Sequence, residues 1–143
     1  MDHLSTTQRS RLMASIKAKD TKPEKLVRSM LHAMGLRFRL HRKDLPGKPD
    51  IILPRFSTVI FVNGCFWHHH EGCKDGRFPQ TNRKFWKDKL LANVARDKEA
   101  VRALENMGWH VLTLWECQIK DINYLERRLF EELYSERSWC EAD

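Results

Sequence analysis

At 143 residues and 41% hydrophobic side chains, the chain suits one domain burying about two-thirds of its unfolded surface, which excludes general disorder. No apolar run approaches the roughly 20 residues that cross a bilayer, and Met1-Asp2-His3-Leu4-Ser5 leads into no secretory segment, so a cytoplasmic protein is expected. The net charge of +7 favours a polyanionic partner without deciding for one, because each Lys or Arg that neutralises a phosphate releases a counterion.

Thr6 to Lys17 reads as a basic, weak helix with Leu12, Met13 and Ile16 on one side. Thr21-Lys22-Pro23-Glu24 is a capping box with Pro in the first turn. The stripe Leu26, Val27, Met30, Leu31 and Met34 follows, and Gly35 stops the helix. Leu36 to Leu40 alternates with period two, as a half-buried strand does. Leu45-Pro46-Gly47-Lys48-Pro49 is a turn, and a short strand from Asp50 to Leu53 ends at Pro54. Thr58 to Val62 is β-branched and apolar, the pattern of a central strand covered on both faces. Asn82 to Met107 is helical, Trp109 to Trp115 is a buried strand that delivers Glu116 and Cys117, and Asp121 to Glu136 is an amphipathic helix. Helices before and between buried strands predict a single α/β domain.

Asn63-Gly64-Cys65-Phe66-Trp67-His68-His69-His70-Glu71-Gly72-Cys73 gathers two cysteines, three histidines and two adjacent aromatics after the central strand. Thiolate and imidazole at this spacing suit Zn²⁺. The ligand set Cys65, His70, Cys73 and Cys117 would close a tetrahedron and staple a long loop to the sheet, with His69 an alternative to its neighbour His70. Four protein ligands make such a site structural. Cys140, in a polar tail, is expected to bind nothing. Asp50, at the start of a strand, could anchor Mg²⁺ through hard oxygen, or could simply cap a turn. Phe66 and Trp67 sit in a polar loop, where stacking on bases competes with core packing; core packing is the expectation for Phe85, Trp109 and Trp115.

Four segments together resemble the very-short-patch repair (Vsr) endonucleases, in matching order from roughly Thr6 to Cys117. They are Asp20 to Glu24, Leu45 to Asp50, Val59 to His68 and Gly108 to Cys117. The resemblance implies a restriction-endonuclease-like fold, a central mixed sheet flanked by helices with a structural zinc site. It also implies a Mg²⁺-dependent nick on the 5′ side of the T in a T:G mismatch, where 5-methylcytosine has deaminated. Carried over by position, Asp50 and the Val62 carbonyl would hold Mg²⁺, and His68 would activate or orient the attacking water. Glu24 would be an outer group near the metal's waters, with Asn93 and Asp97 weaker candidates. Phe66, Trp67 and Trp86 would form a wedge beside the mismatch, and residues 1–20, with Arg9, Arg11, Met13, Ile16, Lys17 and Lys19, would clamp the opposite groove. Cys65, His70, Cys73 and Cys117 match the family's zinc site. The family often carries His where Asn63 stands; Asn hydrogen-bonds but takes up no proton near pH 7, so a proton-transfer role there would make this enzyme slow. The implied partners are double-stranded DNA with a T:G mismatch and mismatch-repair proteins, and a monomer is expected because one nick needs one active site. Two other readings stay open: a restriction-type nicking nuclease of relaxed specificity, and a non-catalytic, zinc-stapled DNA-binding module.

Overall fold

The computed structural model describes residues 21–134. The expected helix from Thr6 to Lys17, the clamping residues Arg9, Arg11, Met13, Ile16, Lys17 and Lys19, and Cys140 lie outside the described residues.

Helix α1 (Lys22–Ala33) begins as its capping box predicts: the Thr21 side chain accepts the Glu24 backbone N–H at 3.4 Å, and Gly35 follows its end at φ +77°. Four strands, β1 (Arg39–Leu40), β2 (Ile51–Leu53), β3 (Thr58–Asn63) and β4 (His110–Trp115), form one sheet in the order β1-β2-β3-β4. The first two pairings are antiparallel and β3 with β4 is parallel, so the sheet is mixed. The parallel pair needs a crossover. Helix α2 (Arg83–Asn106) supplies it, and α3 (Glu116–Ile119) and α4 (Ile122–Leu133) follow β4.

Period-two alternation sorts the strand residues between two cores. Ile51, Leu53, Ile60, Val62, Leu112 and Leu114 pack with Val27 and Leu31 of α1, Ile119 of α3, and Leu125, Leu129 and Leu133 of α4. On the other face Ile52 and Val59 pack with Leu45 and with Leu104 of α2. The central strand β3 is covered on both faces, as its composition predicts.

Two expectations differ from the structure. Only Arg39–Leu40 of the alternating segment pairs as a strand, because the facing strand β2 is three residues long. Strand β4 is an edge of the described sheet and is half-covered rather than buried; Leu112 and Leu114 carry its burial. As expected, the strand ends at Trp115 and delivers Glu116 and Cys117, which open the short helix α3.

Candidate active site and metal centre

The turn before β2 sets the first site residue in place. Lys48 N–H donates to the Leu45 carbonyl at 3.1 Å across Pro46 and Gly47, with Gly47 at φ +72°, the residue pattern of a type II turn. A Cβ at Gly47 would come within 2.6 Å of the Ala100 Cβ, so glycine also allows the turn to pack on α2. Asp50 then enters beside β3. Its backbone N–H donates to the Ile60 carbonyl at 3.1 Å, and its Oδ2 accepts the Val62 N–H at 2.8 Å. Since Ile60 and Val62 are two apart on one strand, the Val62 carbonyl points to the same edge, just past the last rung of the ladder. Burial pushes the Asp50 carboxyl up to about 6, against the Val62 hydrogen bond that lowers it, and the charge of Glu24 pushes it further up.

Asp50 lies on a cleft of ≈ 740 Å³ that is also lined by Glu24, Asn63, His68 and Asp97, with Lys43, Lys48 and Arg96 supplying positive charge. Asn63 ends β3 and is buried. His68 Nδ1 is 2.6 Å from Asp97 Oδ2 on α2. A carboxylate there fixes the proton on Nδ1 and leaves Nε2 as the nitrogen able to accept one. Glu24, only 2% exposed, is held from α1 by Arg28 Nη2 at 3.1 Å, and ligand atoms of Glu24, His41 and Asp50 lie within 4.8 Å of one another. The structure thus brings together the sequence-named Glu24, Asp50, Asn63 and His68. It adds His41 and Arg28, which sequence reasoning missed: a histidine just past a strand end and an arginine four residues after a glutamate carry no signal of their own. Asp97, a weak candidate from sequence, gains weight from its partner.

The Cys/His loop leaves β3 in a series of tight turns: His68 N–H to Gly64 O, His69 N–H to Phe66 O, and His70 N–H to Cys65 O at 2.9 Å. Ligand atoms of Cys65, His70, Cys73 and Cys117 lie within 4.8 Å of one another, with His70 Nδ1 at 3.7 Å from Cys65 Sγ and 3.4 Å from Cys117 Sγ. Three thiols and one imidazole nitrogen can hold a metal ion. His69 is turned away: at φ +46° its Nδ1 donates to the Gly76 carbonyl at 2.7 Å and its ring stacks on Phe78. Gly76 closes the loop against the His70 backbone, where a Cβ would sit 2.3 Å from the His70 oxygen. Trp115, expected in the core, is instead half-buried at the end of β4 and belongs to neither core; its ring stacks on that of the candidate ligand His70 at 4.1 Å. Burial pushes the Cys65 thiol up to about 12 and raises Cys117, while a hydrogen bond from the Asp75 backbone lowers Cys73.

Phe66, Trp67 and Trp86 meet edge to face, with centroids 5.1 to 6.0 Å apart. Lys89 Nζ stands 5.6 Å from both tryptophan rings. Asn93 ties α2 to this loop by donating to the Trp67 carbonyl at 3.0 Å, and Arg96 in turn donates to Asn93. Phe85, expected in the core, is 59% exposed: it occupies the outer face of the first turn of α2 and packs edge to face on Trp86. Trp109 does pack against the smaller core.

The family model described as DNA mismatch endonuclease Vsr matches residues 1–74. The chain is 50% identical to the type II nicking enzyme V.XorIIP of Xanthomonas oryzae pv. oryzae, over 90% of this chain and 93% of that protein. It is 40% identical to the DNA mismatch endonuclease Vsr of Escherichia coli, over 90% and 80% of the two chains. Among solved structures, the catalytic domain of the homing endonuclease I-Bth0305I superposes with a TM-score of 0.56 at 20% identity, covering 81% of this chain and 97% of that one. This last likeness concerns the fold, and it accords with a restriction-endonuclease-like mixed sheet flanked by helices. The chain belongs to the Vsr family of DNA endonucleases.

Proposed function

We propose that this endonuclease nicks one strand of duplex DNA on the 5′ side of the T in a T:G mismatch, with Mg²⁺ at Asp50 and structural Zn²⁺ at the Cys/His cluster. The observation that carries the reading is one cleft holding two prepared groups: a carboxylate beside a strand-edge carbonyl, and an imidazole whose far nitrogen is anchored by a carboxylate. A carboxylate and a carbonyl are the hard oxygen donors that suit Mg²⁺, so the residues present fit that ion. Asp50 and the Val62 carbonyl would hold it. When bound, Mg²⁺ supplies charge neutralisation at the phosphate and favours a deprotonated water.

The chain's own groups do the rest. His68 takes the proton of the attacking water at Nε2, and Asp97 holds the ring in that tautomer and balances the charge that develops. Asn63 orients water or a phosphate oxygen by hydrogen bonding, which needs no proton transfer at that position. Glu24 accepts a hydrogen bond from water near the cation, and Lys43, Lys48 and Arg96 attract the phosphate backbone. Phe66, Trp67 and Trp86 form the wedge: a T:G wobble is weakly stacked, so parting it takes less than the few kcal/mol of opening a paired step.

At the second centre the donor set, three thiols and an imidazole, selects Zn²⁺ over Mg²⁺, and four protein ligands leave no open position for chemistry. The test uses a T:G duplex with Mg²⁺. The wild type is expected to cut only the T strand, on its 5′ side, while Asp50→Ala cuts neither strand yet retains its zinc and fold. Unchanged cutting by Asp50→Ala would place the cation elsewhere.

A further inference from the structure

Glu24 and Asp50 line the cleft, and His41 beside them completes a group of one nitrogen and two carboxylates whose ligand atoms lie within 4.8 Å of one another. Such a mixed set is a zinc set as much as a magnesium one. His41 Nε2 lies 3.7 Å from Glu24 Oε2, and ligands of a tetrahedral zinc are separated by roughly 3.3–3.8 Å. Yet Arg28 Nη2 lies within hydrogen-bond distance of both atoms, 3.1 Å from Glu24 Oε2 and 3.0 Å from His41 Nε2. Two N–H groups cannot face each other at that distance, so Arg28 is the donor to both, and the neutral His41 ring carries its proton on Nδ1. His41 is brought there at some cost: its φ is +48°, a left-handed conformation rare for a side chain other than glycine, and its backbone N–H is 3.3 Å from the Asp50 carbonyl oxygen.

We propose that Arg28 is a fixed internal cation that denies Zn²⁺ the Glu24–His41–Asp50 site, so that a protein that loads zinc at its cysteines does not also load it in the cleft. Arg28 donates to both the glutamate oxygen and the imidazole nitrogen, uses up the nitrogen lone pair that zinc would need, and sets a positive charge against the two carboxylates. What remains open is the Asp50 side, which offers oxygen only. Arg28 and His41 are positioning residues in this account, and their significance rests on the cleft being the magnesium site proposed above.

The test counts zinc, with no cutting required. Wild type, Arg28→Gln and Arg28→Lys are loaded with zinc, dialysed and analysed for metal, then titrated calorimetrically with further Zn²⁺. The wild type and Arg28→Lys are expected to hold one equivalent. Arg28→Gln is expected to take a second, bound about tenfold or more tighter than any further zinc on the wild type. Asp50→Asn in the Arg28→Gln background should abolish that second equivalent. A second zinc on the wild type that disappears in Asp50→Asn would overturn the proposal even if Arg28→Gln failed to fold. A folded Arg28→Gln protein that stays at one equivalent would overturn it too. Neither result touches the nicking reaction, whose failure would show separately as a wild type that cuts nothing with Mg²⁺.

Discussion

Asp50 shows how a residue can be visible in sequence while its chemistry is not. Its place at the head of a strand is legible from Pro49 and from Ile51-Ile52-Leu53, but burial beside Glu24 depends on α1 packing there. With its carboxyl raised from 3.8 to about 6, the charged form is disfavoured in the folded, metal-free protein. That penalty is fully present above pH 6 and absent below the unfolded value near 3.8. Asp50→Asn should therefore stabilise the metal-free protein by about 1–2 kcal/mol at pH 7.5, allowing for partial exposure, and by nothing near pH 3.5. Urea unfolding at the two pH values checks this, and equal stability of the two proteins at pH 7.5 would contradict it. The choice between His69 and His70 was not legible, because adjacent histidines have nearly the same spacing to Cys65 and Cys73. It is made by the left-handed backbone at His69 and by the Gly76 carbonyl that receives its ring N–H. Arg28 and His41 were invisible for a similar reason, being thirteen positions apart and joined only by the fold.

Elements with their own local signals were legible. The box Thr21 to Glu24 marked α1, and the apolar run Thr58 to Val62 marked the central strand. What failed was whatever depended on a neighbour: the length of β1, limited by β2, and the short helix α3, which turns Cys117 back toward the loop. Since Cys117 is the one candidate ligand from outside the loop, Cys117→Ser should lose most of the zinc and lower the unfolding midpoint by several degrees. A zinc-replete, equally stable Cys117→Ser protein would refute the staple. Helix α4 is tied to the edge strand by a different link, His110 Nε2 to Glu132 Oε2 at 2.7 Å, with Arg128 on the other oxygen. Burial would raise the Glu132 carboxyl, but the hydrogen bonds from His110 and Arg128 outweigh it and hold it below 4.5. Stability from a lowered carboxyl is present above its unfolded value and is lost as pH falls through the folded one. Glu132→Gln should thus cost about 0.5–1 kcal/mol at pH 6 and almost nothing at pH 3, measured by chemical denaturation. An equal loss at both would show that charge is not involved.

At the scale of the molecule, α2 acts as a ruler. Trp86 sits at its start in the aromatic cluster, Asn93 grips the Trp67 carbonyl, and Asp97 orients His68. Eleven residues at 1.5 Å each set the aromatic cluster about 16 Å along the helix from Asp97. The same helix packs on the turn that delivers Asp50, through Ala100 against Gly47. The proposed wedge, base and cation site would therefore be held by one rigid element, which would couple a distortion at a mismatch to a cut at a defined neighbouring phosphate. The proposed selectivity for T:G rests on this arrangement. Its most direct test is the single-turnover nicking rate on two duplexes differing at one position, T:G and T:A, with saturating zinc-loaded enzyme and Mg²⁺. A T:G rate at least about tenfold above the T:A rate is predicted, since the wobble saves part of the few kcal/mol that opening a paired step costs and about 1.4 kcal/mol is tenfold in rate. Equal rates on the two duplexes would contradict the account.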